Sequence, residues 1–301
     1  MRHTARDMTE NTPASPHPLD HLVLPTASLD VARARLTLLG FTVAPTGIHP
    51  FGTENCCVFL TDGTYLEPLA VADRQAVATA IANRNVFVAR DHTYRERNGD
   101  EGFSAVVLGT ESAAADHARF IEAGLSAGDM LSFSRAFADA TGKSDTASFK
   151  LAFAALGKAT DAFLFACERI NAPKVDRTAL QAHANGATGI VEVVAVSREP
   201  SEQGHVISIA AGMEAQSGTV YKLPNAAVTV LDPAAFAARF GIPAGAPSEL
   251  RFAGIVFSIR HCDTVAKLLA ANSVEHDIRG GDIIVSPAPG QGAAFIFREI
   301  A

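Results

Sequence analysis

The stretch LDHLVLPTASLDVARARLTLLG, residues 19–40, decides the fold of this 301-residue chain. Leu19-Asp20-His21-Leu22-Val23-Leu24-Pro25 alternates as a half-buried strand does, sending successive side chains to opposite faces. A helix follows: Ser28 can cap its first amides, Leu29, Ala32, Leu36 and Leu39 recur on one face, and Gly40 suits its stop. Beyond it Phe41 to Ala44, Asn55 to Leu60 and Thr64 to Leu69 read as three strands. The last two are joined by Thr61-Asp62-Gly63, whose Asp-Gly pair is a strong hairpin signal. The unit is strand, helix, three strands.

The unit recurs. FSAVVLGT after Gly102 is followed by a helix over Ser112 to Glu122, stopped by Gly124, and by strands Phe133 to Phe137, Ala147 to Ala155 and Ala162 to Cys167. Aligning the strand-to-helix steps sets Leu24-Pro25-Thr26-Ala27-Ser28 over Leu108-Gly109-Thr110-Glu111-Ser112, which puts Ala105 in the place of His21. A third copy opens with Thr188 to Val196, but His205-Val206-Ile207-Ser208-Ile209 alternates like a strand where its helix belongs. It closes with Thr219 to Leu223 and Ala226 to Leu231, and Asp232-Pro233 starts a short helix. The fourth copy has a strand over Arg251 to Ile259, a helix over Asp263 to Ala271 with Val265, Leu268 and Leu269 on one face, and three short strands ending at Glu299. Between Arg169 and Asn185 a proline, charges and no period mark a boundary. The expected organisation is a loose polar tail over 1–18, an α+β domain of two βαβββ units over 19–170, a linker over 171–187 and a second domain over 188–301.

Composition narrows the function. Lys and Arg number 25 against 32 Asp and Glu, a formal net charge of -7 without a basic stripe, which argues against nucleic acid. No uninterrupted apolar run reaches the roughly 18 residues of a membrane span. Cys56, Cys57, Cys167 and Cys262 make no CxxC pair, and adjacent Cys56 and Cys57 point to opposite faces of a strand; free thiols in a reducing compartment place the chain in the cytoplasm. There is no Walker loop, Rossmann fingerprint or Gly-x-Ser-x-Gly elbow.

Leu19-Asp20-His21-Leu22-Val23 opening the first unit and Thr64-Tyr65-Leu66-Glu67 closing it resemble the vicinal oxygen chelate superfamily, the glyoxalase, bleomycin-resistance and extradiol dioxygenase group. More narrowly, His49-Pro50, Gly52-Thr53-Glu54-Asn55 and Asp62-Gly63-Thr64-Tyr65-Leu66-Glu67 are similar to its glyoxalase-like domain proteins. This likeness covers roughly residues 19 to 168; the C-terminal half shares the general repeat and a His183-Ala184-Asn185-Gly186-Ala187 opening. The resemblance implies two glyoxalase-like domains, each a cupped half-barrel, and a divalent ion, Zn, Mn, Fe or Ni, held by His21 and Glu67. Such an ion chelates two vicinal oxygens of a small oxygen-rich metabolite in lyase, isomerase or dioxygenase chemistry.

The residues themselves leave alternatives open. Glu67 shares a face with Tyr65 and Leu69, where a carboxylate needs a cation or several donors. Either it shares a metal with His21, or it pairs with an arginine or a protonated His21. Ala105 removes a second nitrogen ligand. Glu168 can mirror Glu67 in a register that one residue would reverse, and Glu168 or His49 is the candidate third ligand. His49, between Gly47 and Gly52, is a candidate proton carrier over the cleft beside Glu67. Thr53, Asn55 and Tyr65 offer polar groups to a substrate, although Thr53 and Asn55 equally suit a turn. His183 and Asn185 either close over a ligand or pin the domains. His92, Arg95 and Arg97 read as a charged loop. The rival reading is a metal-free binding protein of the bleomycin-resistance type; separately, the C-terminal half is expected to be a scaffold or the interface of a homodimer.

Overall fold

A computed structural model describes residues 16–138, 144–157, 162–172, 175–213, 218–245 and 249–300. The tail expected over 1–18 lies mostly outside them. The first sheet is built from β1 (Leu19–Pro25), α1 (Leu29–Leu38), β2 (Gly47–Ile48), β3 (Thr53–Asn55), β4 (Val58–Phe59) and β5 (Tyr65–Val71), then α2 (Arg74–Ala82) and α3 (Val86–Asn98), then β6 (Ala105–Thr110), α4 (Ala113–Glu122), β7 (Leu131–Ala138), β8 (Ser144–Ala154) and β9 (Phe163–Asn171). It has nine strands in the order β2-β3-β5-β1-β6-β9-β8-β7, with β4 also on β5. At its centre β1 and β6 run antiparallel, and each carries the last strand of its own unit in parallel, β5 on β1 and β9 on β6. The two units are thereby related about the β1–β6 seam.

Each face of this sheet is covered differently. Leu22, Leu24, Val106, Leu108, Leu164 and Ala166 pack beneath α1 and α4. Val23, Ala105, Val107, Phe163 and Phe165 face the other way, into the cup, where α2 and α3 contribute Val77, Phe87 and Val88. Helix α1 starts as expected, with the Ser28 side chain accepting from the Val31 amide, and Gly40 follows it at φ 83°.

The second sheet comprises β10 (Ala187–Val196), α5 (Pro200–Gln203), α6 (His205–Ala210), β11 (Val220–Lys222), β12 (Ala227–Leu231), α7 (Pro233–Phe240), β13 (Arg251–Ile259), α8 (Cys262–Ala271), β14 (Asp277–Arg279), β15 (Asp282–Val285) and β16 (Ala294–Glu299). Its seven strands run β11-β12-β10-β13-β16-β15-β14, again with an antiparallel central pair flanked by parallel strands. Here the cup is closed: Phe236 and Phe240 of α7 fill the face of Val194, Val196, Val256 and Ile296. Arg239 of α7 donates to both oxygens of Glu192, at 2.8 and 2.6 Å. The helix-covered faces of the two sheets share one apolar core, in which Phe41 meets Phe257, Phe295 and Phe297.

Several expectations are corrected. Phe41 to Ala44 is not a strand; Phe41 is a core plug between the sheets. Asn55 to Leu60 divides into β3 and β4 around Cys56 and Cys57. The His92 to Arg97 loop is part of α3, and His205 to Ile209 is the helix α6. Among the described residues no helix is long and apolar enough to cross a membrane.

Candidate functional site

The open cup is built around Glu67. Parallel pairing sets Glu67 beside Val23 and Tyr65 beside His21, so His21 and Glu67 share the cup face of adjacent strands. The register slips between Leu19 and His21, a bulge that returns Leu19 to the helix side and leaves Asp20 and His21 together on the cup side. The regular alternation expected over Leu19 to Pro25 is thereby corrected at its start. Asp20 Oδ1 lies 2.6 Å from His21 Nδ1, and Arg169 of β9 grips both Asp20 oxygens. The other ring nitrogen, His21 Nε2, stands 3.4 Å from Glu67 Oε2. Tyr65 stacks on the His21 ring at 4.4 Å between centroids.

His49 reaches the same carboxylate from the turn between β2 and β3. Its Nε2 is 3.6 Å from Glu67 Oε1 and its Nδ1 2.9 Å from the Thr53 hydroxyl. Asn55 Nδ2 donates to Glu67 Oε1 at 2.6 Å and lies 3.4 Å from His49 Nε2. Two glycines make this turn. Gly52 sits at φ 89°, and a Cβ there would fall 2.6 Å from the Asp73 carbonyl and 2.8 Å from the Val77 amide. At Gly47 a Cβ would come within 2.5 Å of Asn55 Oδ1 and 2.8 Å of Arg135 Nη1.

Around this polar centre Phe51, Phe87, Phe133, Phe149, Phe165, Leu151 and Cys167 complete a narrow pocket with His21, His49, Tyr65, Glu67 and Arg135. Burial pushes the Glu67 carboxyl up, but the His21 hydrogen bond and charge, with His49 and Asn55, overcome it and hold the group at about 2. Asp20 is likewise held at about 2 against its burial by His21 and Arg169. Burial lowers the His21 imidazolium, yet its bonds to Asp20 and Glu67 outweigh that and raise it. His49, whose burial is offset only in part by the charge of Glu67, falls to about 4 and is neutral near pH 7. Arg169, Asp20, His21 and Glu67 thus form one continuous polar chain inside an aromatic shell.

The expected residues therefore divide. His21, His49, Thr53, Asn55, Tyr65 and Glu67 form one constellation. Glu168 does not join it: its Oε2 accepts from the Ala113 amide at the start of α4, and Cys167 takes the pocket face instead. Since Val23 pairs with Glu67 and Val107 with Phe165, the position that mirrors Glu67 is Phe165. Both mirrored ligand positions, Ala105 and Phe165, thus lack a donor. His183 is also elsewhere; it accepts from the Thr42 amide and donates to the Phe59 carbonyl, pinning the linker rather than lining the pocket. Sequence reasoning missed Asp20, Arg169 and Arg135. The DH pair and the cation two residues after Cys167 were the available signals.

The donor chemistry fits a divalent ion. Two donors each about 2.1 Å from a tetrahedral ion lie about 3.4 Å apart, and each histidine stands near that spacing from a Glu67 oxygen. Asp20 behind His21 Nδ1 is the outer carboxylate that metal-ligating histidines use. The fit is pairwise: among the described residues no group of three or more His, Cys, Asp or Glu is disposed to hold one ion.

Paired βαβββ units around a His–Glu cup are the architecture expected of a glyoxalase-like protein. The comparisons agree: a profile described as a glyoxalase-like domain matches residues 19–207, and no curated protein matches the sequence. A hypothetical protein from Staphylococcus aureus superposes with TM-score 0.61 at 12% identity, covering 94% of this chain and 99% of its own. A triple mutant of 4-hydroxymandelate synthase from Streptomyces coelicolor superposes with TM-score 0.59 at 14% identity, covering 95% and 93%. The chain belongs to the glyoxalase-like domain family.

Proposed function

We propose that the Glu67 pocket is the active site of a metal-dependent enzyme that moves a proton on, or brings oxygen to, a small oxygen-bearing molecule with an apolar body. The observation that carries this reading is the approach of His21 Nε2 and His49 Nε2 to one buried carboxylate inside an aromatic pocket. His21 and Glu67 would hold the ion, which would supply Lewis-acid stabilisation of negative charge on a substrate oxygen.

The chain's own groups have separable tasks. Asp20 and Arg169 orient His21. Asn55 fixes Glu67 through Oε1. The Thr53 hydroxyl can donate to or accept from His49 Nδ1, so the neutral ring can present Nε2 as base or as donor; His49 is the group suited to move a proton. The phenyl groups exclude water, which strengthens each of these interactions.

Proton exchange tests this. Candidate 1,2-dicarbonyls and 2-oxo acids are incubated with protein in D₂O, and loss of the carbon-bound proton beside the carbonyl is followed by NMR. Exchange by wild type that falls about 10²-fold or more in His49→Asn, in the range of general acid–base effects, supports the reading. Equal exchange in both proteins removes His49 from the chemistry.

A second reading, a metal-free binding protein, is favoured by Ala105 and Phe165 at the mirrored ligand positions. On that reading Glu67 is neutralised by His21 and the cup only holds its ligand. The four cysteines, all free, accord with a reducing compartment on either reading.

A further inference from the structure

The pocket does not end at Glu67. Tyr65, Arg135 and Phe149 line both it and a wider groove outside. The inner walls are aromatic, whereas the groove gathers Arg135, Arg169 and Arg177 in a chain of net charge -7. Arg169 is taken by Asp20. Among the described residues Arg135 and Arg177 have no carboxylate at ion-pair distance; Asp176, on the same rim, accepts instead from the amide and hydroxyl of Thr178. Both guanidinium groups lie over rings, Arg135 at 5.9 Å from the Phe149 centroid and Arg177 at 4.2 Å from that of Phe59. A guanidinium stacked in this way keeps its N–H edge for an acceptor, and a planar fork suits a carboxylate or a phosphate.

We propose that the site takes an organic anion, its apolar body among the phenyl groups of the inner pocket and its carboxylate or phosphate against Arg135 and Arg177. This rests on the reading of the Glu67 pocket as a ligand site. It places the anionic end at the mouth, away from Glu67. It also accounts for Gly47, whose missing side chain leaves room for the Arg135 guanidinium.

Calorimetric titration with 3-phenylpropionate and its neutral counterpart 3-phenylpropionamide tests it on wild type, Arg135→Gln and Arg135→Lys. Wild type is expected to bind the acid roughly tenfold more tightly than the amide, the size of one charge-assisted contact. Arg135→Gln should bring the two within about threefold by weakening the acid alone, with Arg135→Lys between. Equal binding of acid and amide by wild type, or an undiminished preference in Arg135→Gln, overturns the anion inference and leaves the pocket reading standing. Failure of both probes to bind wild type at millimolar concentration overturns the two together. Benzyl phosphate alongside the acid separates the two anion classes, the tighter binder naming the one the mouth is built for.

Discussion

Asp20 and His21 are neighbours in sequence whose side chains meet on one face of β1, Oδ1 to Nδ1 at 2.6 Å, where a regular strand would send them to opposite faces. The bulge before His21 turns a dipeptide into a buried hydrogen-bonded pair, extended to Arg169 on one side and Glu67 on the other. Removing the Asp20 charge leaves Arg169 without its partner and His21 without its orienting acceptor. Asp20→Asn should therefore cost about 1–3 kcal/mol of stability, less than a fully buried pair because Arg169 is part-exposed. A cycle with Arg169→Gln, read by urea unfolding, should show coupling of about 0.5 kcal/mol or more; additive effects would separate the two residues.

The turn that presents His49 depends on Gly52. Gly52→Ala introduces a Cβ at positive φ against the Asp73 carbonyl, and should destabilise the protein by about 1–3 kcal/mol. The Gly63→Ala variant is the control: Gly63 also has positive φ, but nothing lies within 4 Å of its added Cβ. Thermal unfolding should lower the midpoint more for Gly52→Ala than for Gly63→Ala.

Thr53 is wholly buried and its hydroxyl meets His49 Nδ1. Thr53→Val keeps the shape and removes that partner, at a cost of about 0.5–1.5 kcal/mol. Its larger effect should fall on the proton exchange proposed for His49, with protein stability near wild type. Unaltered exchange would show that the ring needs no orientation from Thr53.

In the second sheet burial raises the Glu192 carboxyl, but hydrogen bonds and charge from Arg239, with Thr229 and Arg298, bring it below its usual range. A depressed folded pKa stabilises above the unfolded value, about 4.3, and that contribution is lost as pH falls through the folded value. Glu192→Gln should accordingly be less stable than wild type at pH 7 by about 1–3 kcal/mol, and the gap should narrow as the pH is taken below about 4. Urea midpoints at both pH values check the sign; a constant gap would mean that packing of α7, not charge, sets it.

Much of this was legible in residues. Ser28 and Gly40 delimit α1, Asp232 caps α7 beside Pro233, and parity on two strands is enough to bring His21 and Glu67 to one face. Parity also explains the failures. Glu168 misses the pocket by one residue, and the Asp20 bulge breaks the alternation on which the reading of Leu19 relied. Helix α3 escaped notice because it buries Arg90 and Asp91 along with its apolar residues, which blurs a hydrophobic stripe. Helix α6, Val206 to Ile209 within six residues, is too short for a 3.6-residue period to be told from alternation. The closed second cup depends on α7 folding back across its sheet, a long-range placement that no local pattern carries.

The central proposal is that His21 and Glu67 hold a divalent ion while His49 stays free to move a proton. The most direct measurement is elemental analysis of purified wild type beside His21→Ala and Glu67→Gln, before and after each is offered Zn, Mn, Fe or Ni. The account predicts close to one ion per chain in wild type and its loss from both variants. Wild type that takes up none of the four metals, or variants that keep a full complement, would contradict it.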